Sequence, residues 1–191
     1  MLSGRRLNLL DPSPLDVEIE DIAHGLARLA RWNGQTCGRH VFSVAQHCLV
    51  VADLCRRRKP GWPARWELAA LLHDAPEYVI GDMISPFKAA LGLDYRQFEA
   101  ALRRVIHIRF GLPPGLPAGV EAEIHRADRI SAFFEATQFA GFSQQEAVRL
   151  FARPRSPRHI ALRALPAGAA QAAFLARFKR LCKSMDRRQL P

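Results

Sequence analysis

Cysteine is scarce in this chain and poorly spaced for chemistry of its own. Cys37, Cys48, Cys55 and Cys182 form no C-x-x-C pair, which argues against a zinc knuckle or a disulfide framework and for reduced thiols. Long apolar runs are also missing. Although 49% of residues are hydrophobic, none of the runs approaches the roughly 18 to 20 residues of a membrane span, and the opening MLSGRRLNLLDPSP lacks the apolar stretch of a signal peptide. The expectation is a cytoplasmic protein without a membrane partner. Nothing repeats at a fixed period and no segment is of low complexity, so solenoids and long linkers drop out. Acidic residues nearly vanish from the last quarter: residues 149–191 hold eleven Lys/Arg and one acid, Asp186, while residues 1–148 hold seventeen of each. The net charge of +10 therefore lies in the tail. Such a tail can attract nucleic acid or polyanionic nucleotides through its long-range field. With few aromatics and no nucleic-acid-binding signature, a solvated helix face is the simpler reading, and nucleic acid is not the favoured partner.

At 191 residues the chain suits one domain with a real core. Leu15, Val17 and Ile19 alternate with acids, a short extended stretch at most, after which Asp21 can cap a helix toward Trp32. From Val41 to Arg57 the apolar positions 41, 44, 45, 48, 51, 52 and 55 follow a helical stripe. Another helix runs from Ala64 to Asp74, and Pro76 should end or kink it, leaving Glu77 in a turn. Ser85-Pro86 opens a short helix, Asp94 a longer one to Phe110, and GLPPGLPAG (111–119) is a loop. A helix from Val120 to Phe139 closes at Gly141, and a last one follows Pro166. No run reads as a hairpin or a strand–turn–helix unit, so the class is all-α, a single compact helical domain.

Within these helices some polar residues sit on apolar faces. LLHDAPEYVIGD (71–82) sets His73 and Asp74 side by side after two leucines and adds Glu77 and Asp82. An isolated His-Asp pair commonly marks a solvated helix end. Here, however, His47 stands three after Val44 and four before Val51, His73 four after Ala69, and Asp128 four after Ile124. Each faces inward or nearly so, and a buried carboxylate needs a cation, a metal or several hydrogen bonds. His47, His73, Asp74 and Asp128 offer two imidazoles and two carboxylates from three helices, a donor set suited to one divalent Mn, Fe, Co, Ni or Zn ion.

The stretches EDIAHGLARLARWNGQT (20–36), FSVAQHCLVVADL (42–54), ALLHDAPEYVIGDMISPFKAAL (70–91) and HRADRISAFFEA (125–136) resemble, in order, the HD-domain metal-dependent phosphohydrolases, within them the branch of YfbR-type 5′-nucleotidases and phage dATP triphosphohydrolases. The likeness covers roughly residues 20–140, with the basic segment 149–191 beyond it. It implies that His47, His73, Asp74 and Asp128 bind one divalent ion. It implies further that Glu77 and Asp82 lie beside the attacking water and the leaving oxygen, and that Arg31 meets phosphate while Trp32 lies near the nucleoside. Lys88, in SPFK, is a further phosphate candidate. Cys48 stands where many relatives have Ser, a replacement expected to leave the metal undisturbed, and Pro76 departs from the usual Ser or Ala. The resemblance also implies a small-molecule nucleotide substrate and a homodimer or larger assembly.

The reaction so implied is hydrolysis of the 5′-phosphate ester of a (deoxy)nucleotide by metal-activated water, from a monophosphate or a triphosphate. His40, His107 and His125 are additional imidazoles that a second ion would need, and His24 reads as a supporting residue. Two other classes compete. A di-iron oxygenase on the same scaffold would require two metals per chain, and a nucleotide or nucleic-acid binding module would keep its binding when Asp74 is lost.

Overall fold

The computed structural model describes residues 1–82, 93–151, 154–155 and 159–186, with backbone alone for 93–95. The helices are α1 (Ile19–Arg28), α2 (Val44–Arg58), α3 (Ala64–Leu71), α4 (Glu77–Ile80), α5 (Leu93–Arg109), α6 (Ala118–Gln138), α7 (Gln144–Phe151) and α8 (Ala167–Asp186), with 3₁₀ turns at Pro14–Asp16 and Arg31–Gly34. Among the described residues, extended pairing is limited to one antiparallel bridge between Ala30 and Ser43. The fold is all-α, as the periodicity requires. No described helix is long and apolar enough to cross a membrane.

α2 occupies the middle and packs against α1, α3, α6 and α8. Its stripe of Val44, Ala45, Cys48, Val51, Ala52 and Cys55 is fully buried. Small side chains there let the neighbours approach on several sides, and burial at about 25 cal/mol per Å² supplies the driving force. The helix begins at Val44 rather than Val41, because the Ser43 hydroxyl accepts from the Gln46 N–H at 3.4 Å and caps it; Val41 is left exposed. α8 buries Ala170, Phe174, Phe178 and Leu181 at helical spacing, and Arg177 bonds Asp53 of α2 at 2.9 Å. Lys179, Arg180 and Lys183 of the basic tail are exposed on the other side.

Several boundaries differ from the sequence expectation, each for a local reason. Asp21 does not cap α1. The cap position is Glu18, whose side chain makes no capping bond, while the Asp21 carboxylate accepts from both the backbone N–H and the hydroxyl of Ser3. α3 stops at Leu71, so His73 and Asp74 stand in the turn between α3 and α4. Pro76 does not leave Glu77 in a turn. Its fixed φ of −51° is itself helical, and Glu77 opens α4. Leu15, the first residue of the stretch expected to be extended, lies instead in a 3₁₀ turn over Pro14–Asp16 capped by Ser13. α7 was not anticipated, although Ser143 and Glu146 form a reciprocal capping box ahead of it. The short helix expected from Ser85 lies outside the described residues.

α1 meets α4 at Gly25. A Cβ there would come within 3.0 Å of the Tyr78 Cβ and 3.1 Å of its carbonyl oxygen. Gly25→Ala is therefore expected to lower the unfolding free energy by about 1–3 kcal/mol through overpacking, although alanine favours a helix by about 1 kcal/mol. Urea denaturation followed by circular dichroism checks it; an unchanged or higher midpoint would contradict this packing.

Candidate metal centre

Three segments bring the candidate ligands together. The Ala30–Ser43 bridge, with Arg31 N–H donating to Phe42 O at 2.8 Å and Val44 N–H to Leu29 O at 2.9 Å, fixes how the chain enters α2 and so sets His47 one turn inside it. The turn after α3 delivers His73 and Asp74, and the middle of α6 delivers Asp128. His47 Nε2 lies 3.1 Å from an Asp128 oxygen and 3.4 Å from Asp74 Oδ2, and His73 Nε2 lies 3.3 Å from Asp74 Oδ2. Ligand atoms of His47, His73 and Asp128 all fall within 4.8 Å of one another.

The donor chemistry fits a divalent ion. His47 Nδ1–H donates to Glu135 Oε1 at 2.6 Å and His73 Nδ1–H to the Ala70 carbonyl at 2.9 Å. With Nδ1 committed as a donor in each ring, a neutral imidazole carries its lone pair on Nε2. Both Nε2 atoms are buried and face the Asp74 and Asp128 carboxylates. Ligands about 2.0–2.2 Å from a shared ion sit roughly 3–3.5 Å apart, which matches the separations found. Exposure increases from His47, at 0%, to Asp128, at 32%, so the cluster opens on the carboxylate side. There a cavity of about 440 Å³ adjoins His73, Asp74 and Asp128.

Glu135 is the residue that sequence reasoning missed. It is fully buried; its Oε1 accepts from His47 and from Ser131 Oγ at 2.6 Å each, and its Oε2 from Trp32 Nε1 at 3.0 Å and Arg31 Nε at 3.2 Å. The spacing Asp128, Ser131, Glu135 puts all three on one face of α6, a signal present in the sequence but weak without α2 opposite it. Cys48 was also underrated. Its Sγ groups with ligand atoms of His73 and Asp74 within 4.8 Å, so a thiol lies beside the oxygen and nitrogen donors.

Charge explains the protonation. Burial and the nearby Arg31 oppose charging of His47, but Glu135 and Asp128 outweigh them and raise its pKa to about 10. Burial likewise opposes charging of His73, and Asp74 and Cys48 overcome it. Desolvation would raise the acids, yet His73 and His47 hold Asp74 low, His47 holds Asp128 low, and His47 with Arg31 does the same for Glu135. Without a cation the two imidazoliums serve as counter-charges to the carboxylates.

The remaining expected site residues divide. Arg31 Nη1 contacts Asp82 at 3.3 Å while its Nε contacts Glu135, leaving Nη2 outside both pairs. Glu77 is buried one turn after Asp74, its N–H donating to the Asp74 carbonyl at 3.0 Å. Trp32, besides its bond to Glu135, packs against Phe142 and Phe151 with centroids 5.6 and 5.9 Å away. It adopts φ of +57° and Asn33 +51°, a left-handed conformation costing roughly 1 kcal/mol or more that the Glu135 bond and the aromatic contacts sustain. His40, His107 and His125 belong to neither ligand group among the described residues. Lys88 lies outside the described residues.

No family model matches the chain. A protein of Rhodobacter capsulatus described as uncharacterized protein RCAP_rcc00048 is 55% identical over 188 residues, covering 97% of this chain and 96% of the relative. The chain belongs to that protein's family. Uncharacterized protein YfdR of Escherichia coli K12 is 34% identical over 106 residues, 56% of this chain and 54% of YfdR. The helical fold with its His/Asp/Cys cluster fits an HD-type arrangement.

Asp74→Ala is expected to abolish stoichiometric binding of Co or Mn while leaving the helical circular dichroism intact; calorimetry decides, and full binding by the variant would remove Asp74 from the site. Glu135→Gln should weaken metal affinity by about 10–100-fold, and Glu135→Ala should cost about 3–5 kcal/mol of stability by stranding His47 and Arg31. Because both imidazoles are raised in the metal-free protein, metal binding must expel protons. Apparent affinity should climb from pH 6 to pH 8 by about tenfold per pH unit for each proton released. Calorimetry in buffers of different ionisation enthalpy counts those protons, and a pH-independent affinity would contradict the charge assignment.

Proposed function

We propose that the chain is an HD-type metal-dependent phosphohydrolase that cleaves the 5′-phosphate ester of (deoxy)nucleotides. The observation that carries the reading is the pair of buried Nε2 atoms of His47 and His73 set 3.1–3.4 Å from the Asp74 and Asp128 carboxylates, beside an open cavity. His47, His73, Asp74 and Asp128 would hold one divalent transition-metal ion, Co, Mn, Ni, Fe or Zn. Such an ion, when bound, polarises a phosphoryl oxygen and makes water acidic enough to attack near neutral pH. A pure binding module has no need of carboxylates held ionised in a half-buried cluster.

The chain's own residues take the other roles. Glu135 fixes the His47 ring so that Nε2 is the ligand atom. Glu77 and Asp82 are the carboxylates suited to move protons, taking one from the attacking water and returning one to the nucleoside oxygen as the phosphorus–oxygen bond breaks. Arg31 has its Nη2 edge outside its two ion pairs, and that edge can engage a phosphoryl oxygen. A monophosphate would yield nucleoside and phosphate, and a triphosphate would yield nucleoside and triphosphate.

Protein stripped of metal and resupplied separately with Co, Mn, Ni, Zn or Mg should release nucleoside from one of these substrate classes, resolved by chromatography. Asp74→Ala should lose that activity by several orders of magnitude. Folded, metal-loaded protein silent on every nucleoside mono- and triphosphate would overturn the assignment.

A further inference from the structure

The cavity beside the metal ligands extends beyond them. Besides His73, Asp74 and Asp128 it is lined by Ala100, Arg103 and His107 of α5, by Leu116, and by Glu121, Ile124 and His125 of α6. His107 is 1% exposed. Its Nδ1–H donates to the Pro113 carbonyl at 3.2 Å, so the lone pair of the neutral ring is on Nε2, and that atom is buried without a hydrogen-bond partner. Burial lowers the pKa of the ring against the opposing Pro113 carbonyl, and the neighbouring Arg103 adds to the lowering. A buried acceptor left unsatisfied costs about 1–3 kcal/mol, a cost that a ligand with a matching donor removes.

Charge indicates which part of a nucleotide suits the space. Arg103 is paired with Glu99 at 3.0 Å, and Glu121, Asp74 and Asp128 also line the cavity, so its described residues carry no surplus of formal positive charge with which to hold a chain of phosphates. Its apolar contributors and its size fall in the range of a small-molecule pocket of about 300–1,000 Å³. Trp32, the aromatic otherwise expected near a base, is engaged by Phe142, Phe151 and Glu135.

We infer that this cavity receives the uncharged nucleoside part of the substrate and that His107 recognises a hydrogen-bond donor on it. The inference rests on the nucleotide phosphohydrolase reading, but binding can be measured apart from turnover. Full-length protein loaded with Mn is titrated calorimetrically with each common ribo- and deoxyribonucleoside, free of phosphate, and separately with inorganic phosphate. At least one nucleoside should bind. His107→Phe, which keeps the ring's bulk and removes the acceptor, should weaken that binding by about tenfold or more. Ala100→Trp, which fills the cavity from an exposed position on α5, should weaken it similarly and retains the test if His107→Phe does not fold. Inorganic phosphate should bind both variants as it binds the wild type. Phosphate binding with no nucleoside binding, or nucleoside affinity unchanged in both variants, would overturn the pocket assignment. Nucleoside binding without any phosphoester hydrolysis would overturn the activity and leave the pocket standing, whereas hydrolysis without nucleoside binding would do the reverse.

Discussion

A carboxylate with no solvent exposure must find its counter-charges inside the fold, and Glu135 finds its partners on three different segments. His47 comes from α2, Arg31 and Trp32 from the turn after α1, and Ser131 from its own helix one turn back. Each bond is made in a dry interior, where Coulomb attraction is strong and a missing partner is expensive. The consequence is geometric as much as energetic. With Glu135 on Nδ1, His47 can present only Nε2 to Asp74 and Asp128, and the turn that carries Arg31 and Trp32 is held in a left-handed conformation it would otherwise avoid. The same carboxylate thus determines how the metal ligands and the arginine near Asp82 stand relative to one another.

How far the sequence discloses this depends on the range of each signal. The stripe of α2 and the inward turn of His47 and Asp128 follow from local helical spacing; His73, expected on a helix, stands with Asp74 in the turn after α3, and the structure brings the four side chains together. Glu135 was not legible in the same way, since its spacing from Asp128 gains meaning only once α2 lies against α6. Trp32 reads in sequence as an aromatic beside an arginine; its packing on Phe142 and Phe151 is a contact across more than a hundred residues. Local errors had local causes. Pro76 leads into α4 instead of excluding it because its φ already suits a helix, and α7 lies beyond the predicted helices although its Ser143–Glu146 capping box is a sequence signal.

The described part of the basic tail has a packing role. α8 fills the core with Phe174 and Phe178 and ties itself to α2 through Arg177 and Asp53, while its exposed lysines and arginine face away from that packing. Its contribution to the site is indirect: it packs on α2 and α3, the helices that carry or immediately precede three of the four ligands. Cys48 of α2 sets a thiol within 4.8 Å of the His73 and Asp74 ligand atoms.

One ion should bind among His47, His73, Asp74 and Asp128, with His47 oriented by Glu135. Crystals of cobalt-loaded protein, measured on both sides of the cobalt absorption edge, test it most directly. One anomalous peak per chain is expected within about 2.0–2.3 Å of both Nε2 atoms and both carboxylates, with the His47–Glu135 bond intact. A peak elsewhere, or a folded protein that takes up no cobalt at these four residues, would contradict it.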